Sequence, residues 1–505
     1  MFKKQLIHAS KLAIRRSPFA PLLRKYFRSE PHSKAINIGI NTGWDNAAEW
    51  LLSEAGRQIL SNQQFLNTLK DDINTDIHIE LLLTSFRKKL LIDNLVLFEQ
   101  PHIYEMICAL IKQCINNEFV WFVSNEEKKL LSKYFNLFKE KSSSDEINWT
   151  HIALIAMYEP LEKLLYKDTT KETLLQNLEN VPEPIKQLLD STLSDYEQEV
   201  ALKKSIESFG SIQRHTSRII AKNYEDYPYP RWIKWDFPKS GQRMQRLREF
   251  FDDGELSFLN NSFNVLVAGC GTGSKAIEYA IGYGNKAQIL AIDLSAASLA
   301  YASRMAKEYQ LTNIKFLQMD ILDLPMLDQQ FDIVECTGVL HHMQDPAAGA
   351  EAIISRVRTN GIVHISLYSE LARLELAKLR EDYNLRADMS NDDIRERRSR
   401  ILQERAATIE NKICLRWDFF DLYRCKDLLF HPLEHLFTIP QIGRMLDALY
   451  LEFRGLEAPS LISTQYWTQY PSKKDLRDLK SWHNFEVKNP DAFANLYEIW
   501  AKKIT

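Results

Sequence analysis

Three glycines at alternate positions, Gly269, Gly271 and Gly273, followed by Asp293 twenty residues on, form the grouping in this chain best suited to chemistry. Glycine permits φ > 0 and lets a ligand lie against bare backbone where a Cβ would collide. An aspartate closing the next strand can accept hydrogen bonds from both hydroxyls of a ribose. A second acid, Asp320, closes the apolar run that follows. The glycines run G-x-G-x-G, with Ser274 where a dinucleotide site wants its third glycine. A nicotinamide dinucleotide is therefore disfavoured.

These residues need a strand, a tight turn and a helix. Val265–Ala268 is continuously apolar, whereas Ala276, Ile277, Ala280 and Ile281 recur at helical spacing. The pattern repeats through Gln288–Asp293, a helix capped by Ser295 and carrying Leu299, Ala302, Met305 and Tyr309, then Ile314–Asp320, Phe331–Cys336 and Gly361–Tyr368. Alternating strands and helices predict a parallel doubly wound sheet, whose ligands lie at the carboxyl ends of its strands. A helix around Ile442, Leu446 and Leu449, then strands 451–456 and 497–504, would complete it.

The remainder is ordinary in composition. The 505 residues are 45% hydrophobic with a net charge of -3, which suits several domains and argues against a general nucleic-acid binder. No apolar run reaches the ~18 residues of a membrane helix. The six cysteines are dispersed, so free thiols and a cytoplasmic location are expected. Residues 1–34 form a basic arm, with no acid before Glu30. Residues 35–215 read as a helical domain, with stripes such as Leu82, Leu83, Phe86, Leu90 and Ile103, Ile107, Leu110, Ile111, Cys114. Its expected role is packing, with dimerisation or substrate holding as alternatives.

Tyr224-Glu-Asp-Tyr-Pro-Tyr-Pro-Arg-Trp232 is held extended by its prolines. It is either a rigid linker or an aromatic cover over a cationic cofactor or amine. His341 and His342 lack a third ligand at credible spacing, so they are expected to shape the pocket rather than hold metal. His431-Pro-Leu-Glu-His435 matches the inverted zinc-protease motif, but Pro432 sits where that motif needs a helix. No metal is expected. Residues 371–437 read as a helical insertion, with a solvated charged helix around 391–400.

With these motifs in hand, the span from about 216 resembles bacterial class I S-adenosylmethionine-dependent methyltransferases often found behind tetratricopeptide repeats. The marks are Tyr224–Trp232, Val267–Gly273, Thr337-Gly-Val-Leu-His-His-Met343, Leu367–Arg373 and Asp427–Thr438. The repeats are absent. The layout is similar to rickettsial-type protein lysine methyltransferases.

The resemblance implies an α/β Rossmann-like sheet of seven strands, preceded by an all-α domain (35–215). It places the core at 216–370, an insertion covering the substrate at 371–437, and a C-terminal completion at 438–505. It implies S-adenosylmethionine as cofactor, with Gly269, Gly271 and Gly273 at its methionine part, Asp293 at its ribose and Asp320 at its adenine. Arg231, Ala268, Cys270, Leu294, Ile321, Thr337 and His342 are expected around it. Tyr227, Trp232, Glu335, Tyr368 and Glu434, with Tyr229, Glu370 and His431, are candidates to receive an acceptor amine. A protein lysine is the expected acceptor and a homodimer a possible assembly. The alternatives are a small metabolite or lipid as acceptor, or a binding module without catalysis.

Overall fold

The computed structural model describes residues 30–93, 98, 100, 103–140, 147–165, 170–210, 214–226, 228–233, 237–405 and 416–504. Tyr227, Trp235, Cys414, the connection 141–145 and residues 1–29 of the arm lie outside them. The chain divides into two compact units, one ending at Glu197 and rejoined by Tyr383–Phe430, the other Gln198–Asp382 with His431–Thr505. The span 371–437 therefore divides between the two units.

In the first unit the apolar stripes bury as their spacing requires. The helix Ile77–Asp93 sinks Leu82, Leu83, Phe86 and Leu90, and Tyr104–Asn116 sinks Ile107, Leu110, Ile111 and Cys114. A short parallel pair, β1 (Ile147–Asn148) and β2 (Leu178–Glu179), is its sheet content among the described residues. The charged helix Asn391–Arg405 differs from the solvated helix expected. Ile394, Ile401 and Leu402 are buried, and so is Arg398. Arg398 donates to both oxygens of buried Glu80 at 2.6 and 2.8 Å, and its Nε donates to the Phe419 carbonyl. The charge pattern hid an inward face because the arginine on it is neutralised by a residue 318 positions away.

The second unit is built on eight strands: β3 (Glu207–Ser208), β4 (Phe263–Ala268), β5 (Ala287–Asp293), β6 (Ile314–Gln318), β7 (Phe331–Cys336), β8 (Val357–Leu367), β9 (Leu451–Glu457) and β10 (Tyr497–Lys503). Their order is β3-β6-β5-β4-β7-β8-β10-β9. Pairing is parallel from β3 to β8, and β10 runs antiparallel to both its neighbours. The sheet therefore has one strand more than the seven expected. β3 is only two residues long and carries no apolar signal.

Side chains alternate across the sheet. Leu266, Ile292, Val334 and Ile365 join the core on one face, and Val265, Val267, Ile289 and Ile333 the core on the other. Covered faces of this kind are what a parallel sheet requires. The same alternation sends Glu335 to the face of Ile333, between the sheet and the helices Gln242–Leu247 and Ser274–Tyr283.

There Glu335 is fully buried and meets His364 Nδ1 at 2.6 Å, Tyr283 Oη at 2.5 Å and Arg243 Nη2 at 3.1 Å. His364 Nε2 lies 3.0 Å from Glu498. Burial alone would lower the His364 pKa, but Glu335 and Glu498 outweigh it and hold it up at about 9. Since this folded value exceeds the unfolded ~6.5, the imidazolium contributes stability that is complete below pH ~6.5 and is lost as pH rises towards 9. The melting temperature should fall across that window, and His364→Gln should flatten the fall. Melting curves from pH 6 to 10 check this.

Candidate cofactor and acceptor site

The loop after β4 is fixed from both sides. Gly269, Gly271 and Gly273 all have positive φ, at 71°, 52° and 82°. A Cβ on Gly273 would lie 2.6 Å from that of Ala302, and one on Gly269 would meet Val339. A Cβ on Gly271 would stand 2.5 Å from the Tyr229 carbonyl oxygen, because the Tyr-Pro-Tyr-Pro segment lies directly on the loop. Thr272 N donates to Tyr229 O at 3.3 Å, Thr272 Oγ1 donates to Pro230 O, and Trp232 Nε1 donates to Thr272 O at 3.1 Å.

Gly271→Ala combines a strained φ with a backbone collision. It should weaken cofactor binding by at least ~10-fold. Gly338→Ala, at φ 75° with nothing within 4 Å of its Cβ, isolates the strain and should cost less. Calorimetric titration with S-adenosylhomocysteine compares them.

Asp293 closes β5 with each oxygen on a backbone amide: Oδ2 accepts from Gly271 N at 2.8 Å and Oδ1 from Ser295 N at 2.9 Å. Burial raises its pKa; the amides of Ser295, Gly271 and Leu294 oppose the rise, and the charge of Glu225 adds to it. Glu225 caps the helix Ala296–Glu308 beside Ser295, accepting from Ser295 Oγ at 3.0 Å and Ala297 N at 3.1 Å, and Lys203 pairs with it at 2.5 Å. One strand further along, Asp320 caps the short helix Ile321–Met326 through Leu322 N at 2.9 Å and accepts from Arg214 at 3.1 Å. Ala268 and Ile321 are buried nearby in the core, and Leu294 and Thr337 are half-buried at strand ends. Burial, with the charge of Asp293, pushes the Cys270 thiol well above its ordinary value, so it is inert as a nucleophile.

With the glycine loop on β4 and the acids on β5 and β6, the neighbouring free strand ends are those of β7 and β8. After β8 the chain pairs with 431–437 through Phe437 N to Tyr368 O and Glu370 N to Phe437 O, both 2.9 Å. This strand-like segment is not helical, so His431 and His435 cannot stack as the zinc-protease motif requires. It brings His431 to His342, ring centroids 3.8 Å apart, and Glu434 to Arg373 and, at 2.5 Å, Arg380. The Tyr368 ring lies 3.7 Å from that of His341 and 3.2 Å from the Arg373 guanidinium carbon. His341 is fully buried; burial holds its pKa well below the ordinary value, and the charges of His342, Arg373 and His431 act in the same direction.

The structure thus gathers Tyr368, His342, His431 and Glu434 and separates others from them. Glu335 is locked into the ionic network on one face of the sheet. Trp232 is a core residue packed against Ile277, Tyr301 and Met305, so its ring supports the loop rather than an acceptor. Arg231 is engaged by Glu199 at 2.7 Å. Tyr229 contributes its carbonyl to the loop and its ring to a stack with Tyr224 at 6.2 Å. Glu370 is exposed, with its charge acting on Glu486 and Tyr497. Sequence reasoning missed Arg214, Glu225 and Thr272. Their partners lie from 22 to 109 residues away, so no local pattern marks them.

The glycine loop and the two acids thus stand at successive strand ends of a Rossmann-like sheet. Residues 259–412 match the sequence model of a family described as a methyltransferase domain. An uncharacterised protein of Synechococcus is 28% identical over 287 residues, 53% of this chain and 65% of its own. The ubiquinone biosynthesis O-methyltransferase of Acinetobacter baylyi is 34% identical over 103 residues, 20% of this chain and 42% of its own. Among solved structures, PKMT2 from Rickettsia typhi in complex with AdoHcy aligns over 55% of each chain at 18% identity and a TM-score of 0.39. This chain spans less than two thirds of the length of each. The segment carrying the glycine loop, Asp293 and Asp320 lies within the span that matches a methyltransferase domain. No described helix is long and apolar enough to cross a membrane.

Proposed function

We propose that the protein is a class I methyltransferase that N-methylates lysine in a protein substrate. The transferase part rests on one observation: Asp293 is held by the amides of Gly271 and Ser295 at the end of its strand, where its carboxylate would accept from ribose hydroxyls. S-adenosylmethionine, when bound, supplies a methyl group already activated on a cationic sulfur. Gly269–Gly273 would cradle its methionine part and Asp293 its ribose hydroxyls. The remaining work of the chain is to orient a nucleophile in line with the methyl group and to exclude water. Tyr368, beside the neutral His341, is the group best placed for that at the β7 and β8 ends. The lysine reading is supported by the sequence resemblance and by the helical unit, which would hold a macromolecule and could pair two copies.

A second reading, a small acceptor methylated on oxygen, is favoured by the state of Glu434. It is taken by Arg373 and Arg380 and is not free to hold an ammonium. The similarity over 103 residues to an O-methyltransferase of ubiquinone biosynthesis agrees. Incubating purified protein with labelled cofactor and fractionated lysate, then identifying the labelled species by mass spectrometry, separates these readings. Label on lysine supports the first. Label confined to small molecules supports the second, and no turnover of cofactor overturns both.

A further inference from the structure

The geometry points to Arg214 as a specificity-determining positioning residue for the adenine amino group, acting by holding Asp320 as its acceptor. This rests on S-adenosylmethionine being the cofactor. A single guanidinium nitrogen, Arg214 Nη1, bridges two buried carboxylates, at 3.1 Å to Asp320 Oδ2 and 2.8 Å to Asp323 Oδ1. The Asp320 and Asp323 side chains are 3% and 7% exposed and that of Arg214 is 44% exposed. Two like charges one helical turn apart repel, and the arginine offsets this.

The arrangement is built. Glu207 and Ser208 pair with Leu317 and Gln318, and Phe209 N donates to Gln318 O at 2.9 Å, so the chain runs along β6 to the end that presents Asp320. There Gly210, at φ 75°, approaches so closely that a Cβ would stand 2.9 Å from Asp323 Oδ2. Asp320 Oδ1 is fixed by Leu322 N. Each carboxylate oxygen accepts about two hydrogen bonds, so a fixed Asp320 retains acceptor capacity. Asp293 marks the ribose one strand away, and the base beyond it falls at the β6 end. An acceptor there favours the 6-amino group of adenine and repels the 6-oxo group of hypoxanthine.

Without Arg214, Asp320 and Asp323 part and this discrimination is lost. The experiment is calorimetric titration of the full chain with S-adenosylhomocysteine and S-inosylhomocysteine. Wild type should prefer the adenine compound by at least ~10-fold. Arg214→Met should remove the preference by weakening the adenine compound alone, and Arg214→Lys should restore most of it. Equal weakening of both compounds in Arg214→Met, or an unchanged ratio, overturns the proposal. Failure of wild type to bind either compound overturns the cofactor assignment instead.

Discussion

Asp293→Ala should lose cofactor binding by about 100-fold or more and abolish methyl transfer. Two ribose hydroxyls on a carboxylate represent roughly 1.5–3 kcal/mol each, and ~1.4 kcal/mol is a factor of ten. The substitution also frees the Gly271 and Ser295 amides that this side chain holds, so the loop loses its shape with its ligand. Asp293→Asn keeps an acceptor of the same size and should fall between the two. Titration with S-adenosylhomocysteine measures the loss, and a dissociation constant for the alanine variant within threefold of wild type would contradict the ribose assignment.

Arg398→Ala should destabilise the helical unit by about 3–5 kcal/mol, because it leaves Glu80 buried with an uncompensated charge. Replacing the pair by apolar residues of similar size, Glu80→Leu with Arg398→Met, should recover most of that loss. Hydrogen exchange reads the helical unit separately from the sheet unit and is the suitable probe. Protection in the helices Ile77–Asp93 and Asn391–Arg405 should drop together in the single variant and return in the double one. Unchanged protection in Arg398→Ala would show that the pair adds nothing net.

The centre of the sheet was legible because β4 and β5 are apolar runs that end on Gly269 and Asp293, and these signals are local. The helical region was legible for the same reason, from stripes such as Leu82 to Leu90. The position of Asp293 also followed from local spacing. Glu335 and Trp232 were misread because sequence position gives a strand end or an aromatic segment but not the direction of the side chain. Alternation sent Glu335 to His364 and Arg243, and packing turned Trp232 beneath Thr272. β3 was invisible, being held by pairing with β6 rather than by its own residues. The buried Arg398 face was likewise hidden, since its neutralising partner is remote in sequence.

The contact between Tyr229 and Gly271 bears on where this binding site begins as a heritable piece. Sequence similarity to the methyltransferase domain family starts at residue 259, and that span contains Gly269, Gly271 and Gly273 and both acids. Yet the loop is propped by a carbonyl at 229, capped at the next helix by Glu225 and braced at Asp320 by Arg214, all within the compact unit that begins at Gln198. Exchange of the matched span alone would carry the loop and its acids without the scaffold that shapes them. A transplanted segment that keeps the supports of the loop has to begin by Gln198 rather than at residue 259.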